Sequence, residues 1–156
     1  MDGVKGTMIS GVQIIPLRRI PDERGSIYKI MSKNDDYFID LGEIYVSTIR
    51  PMAIKAWHRH NLMTLNYVTV SGNTKLVLYD DRIDSFTNGV TMEIFLGEDN
   101  FCLVKIPPKI WNGFKCVGNE KAFILNCASI PHDPDEQIRL PYNTDKIPYD
   151  WGIKHE

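Results

Sequence analysis

The chain is a succession of short apolar runs, each closed by a turn signal before a helix could complete three turns. GVQIIPL (11–17), GSIYKIM (25–31), GEIYVSTI (42–49), LNYVTVSG (65–72), TKLVLYDD (74–81), TMEIFLG (91–97), FCLVKIPP (101–108) and KAFILNCAS (121–129) are seven to nine residues each. β-Branched and aromatic side chains are common in them, as a pleated, half-buried surface favours. Several alternate with period two: Met92, Ile94 and Leu96 share one face, Thr91, Glu93 and Phe95 the other. The breaks read PDERG (21–25), SGN (71–73), NG (88–89), GEDN (97–100) and VGNE (117–120), all turn chemistry. No segment before residue 130 carries a 3.6-residue period over helical length. Such a chain is predicted to be all-β, a sandwich, barrel or jelly roll. At 156 residues, without repeats or linkers, it reads as one domain over 1–156.

From Pro131 the pattern changes to PHDPDEQIRLPYNTDKIPYDWGIKHE, rich in proline and acid. Long strands cannot run through those prolines. The segment is predicted to wrap the barrel as a loop with a short helix near 133–139, and a loop of that length is often a site wall.

The net charge of −2 argues against nucleic acid or an acidic membrane surface as partner. There is no stretch of 18 consecutive apolar residues and no signal-peptide pattern. Cys102, Cys116 and Cys127 lack CxxC spacing and lie in apolar runs, which reads as reduced, buried thiols in a cytoplasmic protein.

The most informative segment for chemistry is IKAWHRHNLMT (54–64). His58 and His60 at i, i+2 point to one face of a strand. In an apolar cavity such imidazoles serve as general base, general acid or metal ligand. No glutamate follows within the next six residues, and Asn112 stands where a third metal-binding histidine would be, so no metal is expected. Trp57, Trp111 and Trp151 read as packing residues before they read as stacking platforms.

Five segments in order resemble the dTDP-4-dehydrorhamnose 3,5-epimerase family: DERG (22–25), IKAWH (54–58), KLVLYDDRIDSFTNG (75–89), LGEDN (96–100) and IPPKIWNGF (106–114). The resemblance implies a cupin-type jelly-roll β-barrel. It also implies a cofactor-independent epimerase or isomerase acting on a nucleotide-linked 4-keto-6-deoxy sugar in polysaccharide or deoxysugar biosynthesis. His58 aligns with the base that removes the proton beside the ketone, and Asp145 falls near the aspartate that orients it. Lys55 stands where the family has an arginine at the enolate oxygen, keeping the charge but losing the planar fork. Lys55 and His58 are three apart, so both face inward only across a β-bulge. Arg24 matches an arginine that binds the nucleotide diphosphate. The general-acid tyrosine is missing from FILNCASIPHD; Tyr149, Tyr142, His60 and His132 remain as proton donors. The HxH pair is also similar to that of sugar 3,4-ketoisomerases; loss of catalysis with retained sugar-nucleotide binding, and a metal-dependent cupin using His58 and His60, are further alternatives. Finally, the resemblance implies a homodimer exchanging N-terminal strands, with GVQIIPL the apolar segment involved.

Overall fold

The computed structural model describes residues 2–155. Thirteen strands follow in chain order. The first seven are β1 (Val4–Lys5), β2 (Gln13–Pro16), β3 (Arg18–Asp22), β4 (Gly25–Lys29), β5 (Glu43–Ile49), β6 (Ile54–His60) and β7 (Leu65–Ser71). The rest are β8 (Thr74–Tyr79), β9 (Thr91–Leu96), β10 (Cys102–Ile106), β11 (Trp111–Cys116), β12 (Ala122–Ala128) and β13 (Gln137–Arg139). They form a six-stranded sheet, β1-β9-β8-β11-β6-β13, a five-stranded sheet, β2-β10-β7-β12-β5, and the separate hairpin β3-β4. All pairings are antiparallel. The fold is therefore all-β and cupin-like, with its strands divided between two sheets.

The core lies between the sheets. Leu76, Leu78, Met92, Ile94, Leu96 and Phe114 from one meet Leu65, Tyr67, Val104, Ile106 and Ile124 from the other. The alternation read from residues 91–96 holds: Met92, Ile94 and Leu96 are in this core, while Glu93 on the other face meets Tyr149 and Lys154. Burial of these apolar side chains contributes roughly 1.5–3 kcal/mol each. The three cysteines are free and buried, and burial pushes the Cys102 thiol up to about 11.

One expectation needs correction. The helix near 133–139 is one 3₁₀ turn, Pro134–Glu136, capped by Asp133, whose side chain accepts from the Asp135 amide. The rest of that stretch is strand β13, laid along β6 from Gln137↔His60 to Arg139↔His58. Three residues flanked by proline-rich loop carry no period to read, so only pairing with β6 makes them a strand. GVQIIPL lies along β10, Ile14 opposite Val104 and Ile15 opposite Leu103. The hairpin β3-β4 is a two-stranded sheet joined to neither of the larger ones.

Beyond β13 the tail folds over the outer face of the six-stranded sheet. Trp57, Val77, Trp111, Ile147 and Trp151 form a second buried cluster. Trp57 and Trp151 rings are 5.1 Å apart, Tyr149 and Trp151 4.8 Å. The tail is thus part of the packed structure, held also by paired backbone bonds between Trp57 and Leu140. Among the described residues no helix is long and apolar enough to cross a membrane.

Candidate active site

The two sheets part at the side where β6-β13 ends one and β5 ends the other. The gap is a cavity of about 720 Å³ lined by residues of β5, β6, β7, β11, β13 and the loop after β12. Its polar lining includes His58, His60, Lys55, Tyr67, Gln137 and Arg139, with Glu43, His132 and Tyr142 also on its wall.

A β-bulge sets the direction of the β6 side chains. Asn112 faces His58 and Phe114 faces Lys55, so two β6 residues stand opposite the single Gly113 of β11. The extra residue brings Lys55 and His58, otherwise of opposite parity, to one cavity. Gly113 is what allows it: a Cβ there would lie 2.4 Å from the Ala56 Cβ.

His58 Nε2 is 3.1 Å from the Tyr67 hydroxyl. Asn112 Nδ2 donates to the His58 carbonyl, so its Oδ1 is the atom that accepts from the Tyr67 hydroxyl at 3.4 Å. With that proton directed to Asn112, His58 Nε2 is placed to donate to the tyrosine oxygen. Burial, then the neighbouring His60 and Arg139, push the His58 imidazole down to about 3. Burial and Tyr45 hold the Tyr67 phenol well above its ordinary range. Both groups are therefore neutral near pH 7.

His60, 4% exposed, meets Glu136 through Nδ1. Glu136 is itself buried and also accepts from the Leu62 and Met63 amides, at 2.9 and 3.3 Å. Burial opposes ionisation of this carboxyl, but the hydrogen bonds from His60 and the two amides outweigh it and hold its pKa low. On the other side of the ring, His60 Nε2 lies 3.4 Å from Gln137 Nε2. The two imidazole rings stand edge-on with centroids 5.8 Å apart.

The remaining residues singled out from the sequence fall in different places. Lys55 lines the cavity and donates to Ser47 Oγ at 3.0 Å. His132 lines it from the loop after β12. Asn112 is fully buried behind His58 and does not line the cavity. Tyr149 is on the outer face of the six-stranded sheet, donating to Glu93 at 2.5 Å and packing on Trp57. Asp145 is exposed in the tail, and among the described residues the partner of the His58 ring is Tyr67, not Asp145. Arg24 is at the tip of β3-β4, its side chain 90% exposed and, among the described residues, paired with nearby Asp22. Tyr67, Glu136 and Arg139 join the site only in the folded structure. Tyr67 had a signal, a phenol at an inward position of LNYVTVSG; Glu136 and Arg139 had none, because β13 was not legible. Among the described residues no three His, Cys, Asp or Glu side chains converge as a metal site requires.

The family described as dTDP-4-dehydrorhamnose 3,5-epimerase matches residues 6–156 of the chain. A probable low-salt glycan biosynthesis epimerase, Agl13, of Haloferax volcanii is 36% identical over 151 residues, covering 94% of this chain and 96% of that protein. The spore coat polysaccharide biosynthesis protein SpsL of Bacillus subtilis is 30% identical over 149 residues, 94% of this chain and 99% of that one. Among solved structures, a dTDP sugar isomerase from Desulfovibrio desulfuricans G20 superposes with a TM-score of 0.90 at 39% identity, covering 92% of both chains.

Proposed function

The chain belongs to the dTDP-4-dehydrorhamnose 3,5-epimerase family, and from that premise we propose that it epimerises or isomerises a nucleotide-linked 4-keto-6-deoxy sugar in polysaccharide biosynthesis. The observation that carries this reading is one cavity containing three imidazoles, those of His58, His60 and His132, beside two cations, Lys55 and Arg139. A ketone acidifies the neighbouring C–H bond. The protein then needs a base of suitable strength and positive charge near the developing enolate oxygen. The cavity offers both without any group that must be supplied from outside. Its volume of about 720 Å³ suits a sugar with part of its nucleotide. Incubation with 4-keto sugar nucleotides in heavy water tests the reading: deuterium enters the sugar with the native protein and not with a His58→Ala, His60→Ala double variant. No wild-type exchange with any such nucleotide overturns it.

The 3,4-ketoisomerase form of the same chemistry is favoured by a specific observation, that His58 and His60 both line the cavity. The position of the label and of the carbonyl in the product separates the two.

The contacts of a homodimer are assigned to two surfaces of each copy, the hairpin β3-β4, which packs by Phe101, and the open edge of β5 at the far end of the five-stranded sheet from β2. Ile20, Ile27 and Tyr28 on the hairpin and Ile44, Tyr45 and Val46 on β5 are all exposed, and β5 has an open edge. Glu43, Tyr45 and Ser47 of that strand line the cavity. A hairpin docked along it from a partner would carry Arg24 toward the partner's ligand, supplying charge for a diphosphate.

A further inference from the structure

Resting on the proton-transfer reading above, we propose that the base of this site is His60, with Glu136 as the positioning residue that holds it. One chain of hydrogen bonds fixes the imidazole. Arg139 donates to Gln137 Oε1 from Nη2 at 3.1 Å and from Nε at 3.3 Å. That fixes the Gln137 amide, so the group turned toward His60 Nε2 is its NH₂, a donor. His60 Nε2 therefore carries the lone pair and Nδ1 carries the proton, given to Glu136. Glu136 in turn is oriented by the Leu62 and Met63 amides. Each end of the chain is anchored on backbone or on a second side chain, so the imidazole is held in one tautomer with its basic nitrogen fixed.

His58 is arranged the other way. Its Nε2 faces the Tyr67 hydroxyl, whose proton has an acceptor in Asn112, and no carboxylate reaches it among its hydrogen-bond partners in the described residues. Proton abstraction turns an imidazole into an imidazolium, and in a buried site that charge needs an anion beside it. Glu136 supplies the anion at His60. The titratable groups beside His60 are Glu136 on the 3₁₀ turn and His58 on its own strand; Arg139 on β13 stands opposite His58 and reaches His60 only through Gln137. In the step, the C–H bond next to the ketone breaks and its proton bonds to His60 Nε2. The C–H electron pair moves toward the carbonyl, leaving an enolate near Lys55. Return of the proton to the same or the adjacent carbon completes an epimerisation or an isomerisation, with no co-reactant consumed.

The test is solvent-deuterium exchange into a 4-keto-6-deoxy sugar nucleotide across pH 5–9, with native protein, Glu136→Gln, His60→Asn and His58→Asn. Glu136→Gln is expected to lower kcat by about 10²-fold or more with KM changed little, and to move the acid limb of the pH profile. His60→Asn abolishes exchange, whereas His58→Asn retains more of it than His60→Asn. Proton NMR of the ligand-free protein is expected to show a low-field His60 N–H resonance that moves upfield in Glu136→Gln, a shift that loss of packing alone does not produce. If Glu136→Gln does not fold, His60→Gln replaces it, since it leaves the carboxylate and its two amides in place. Wild-type exchange that survives His60→Asn, or that Glu136→Gln alters less than twofold, overturns the assignment of the base alone. Absence of exchange in the wild type overturns the functional reading and this one with it.

Discussion

At the scale of single residues, two buried groups make the fold sensitive to pH and to truncation. The His58 imidazole falls from an ordinary 6.5 to about 3 because it is buried. Between those values the unfolded chain binds a proton that the folded one does not, so stability falls as pH drops from about 6.5 toward 3. The slope from this one group is at most ~1.4 kcal/mol per pH unit. Urea midpoints at pH 7, 5 and 4 are therefore expected to decline more steeply for the native protein than for His58→Asn. Equal slopes would mean that the imidazole is solvated. Asp80 is the second case: fully buried, it accepts from Arg82 Nε and Nη2 at 2.8 and 2.9 Å and from the Ser85 and Thr87 hydroxyls at 2.6 and 2.7 Å. Burial opposes its charge, yet these donors hold its carboxyl far below the usual range. Asp80→Ala removes their shared acceptor and is expected to cost roughly 2–4 kcal/mol by chemical denaturation.

At the scale of elements, the bulge in β6 and the tail over the sheet are the two features on which the site depends. Gly113→Ala puts a methyl 2.4 Å from the Ala56 Cβ. Relief requires the bulge to shift, which turns Lys55 or His58 out of the cavity. A stability loss of about 1–3 kcal/mol is expected, with a proportionally larger fall in deuterium exchange. Unchanged exchange would show that the bulge does not set the alignment. Trp151 closes the outer cluster against Trp57, directly behind the strand that carries both histidines. Trp151→Ala is expected to cost about 3–5 kcal/mol, read from the thermal or urea transition. The strand β13 shows the same dependence from the other side, because its pairing with β6 positions Gln137 and Arg139 against the imidazoles.

At the scale of the whole molecule, the open β5 edge and the separate hairpin predict a dimer with twice the mass of the chain by light scattering. Ile27→Lys on the hairpin, where the isoleucine is 65% exposed, is expected to yield monomer that stays folded and binds nucleotide more weakly. A wild-type monomer with full affinity would remove Arg24 from the site. Composition and period alone determined the all-β class, most strand positions and the inward direction of His58 and His60. Those follow from side-chain alternation, which is local and so is written in the order of residues. What tertiary structure decided were contacts between positions far apart in the chain. Glu136 meets His60 across 76 positions and Asn112 meets the His58 carbonyl across 54, while β13 becomes a strand only by lying on β6. The buried carboxylate also could not be read from a proline-rich acidic tail, where every acid looks solvent-facing. It is buried because two backbone amides and an imidazole more than 70 residues away satisfy it, and nothing in the local sequence encodes that meeting.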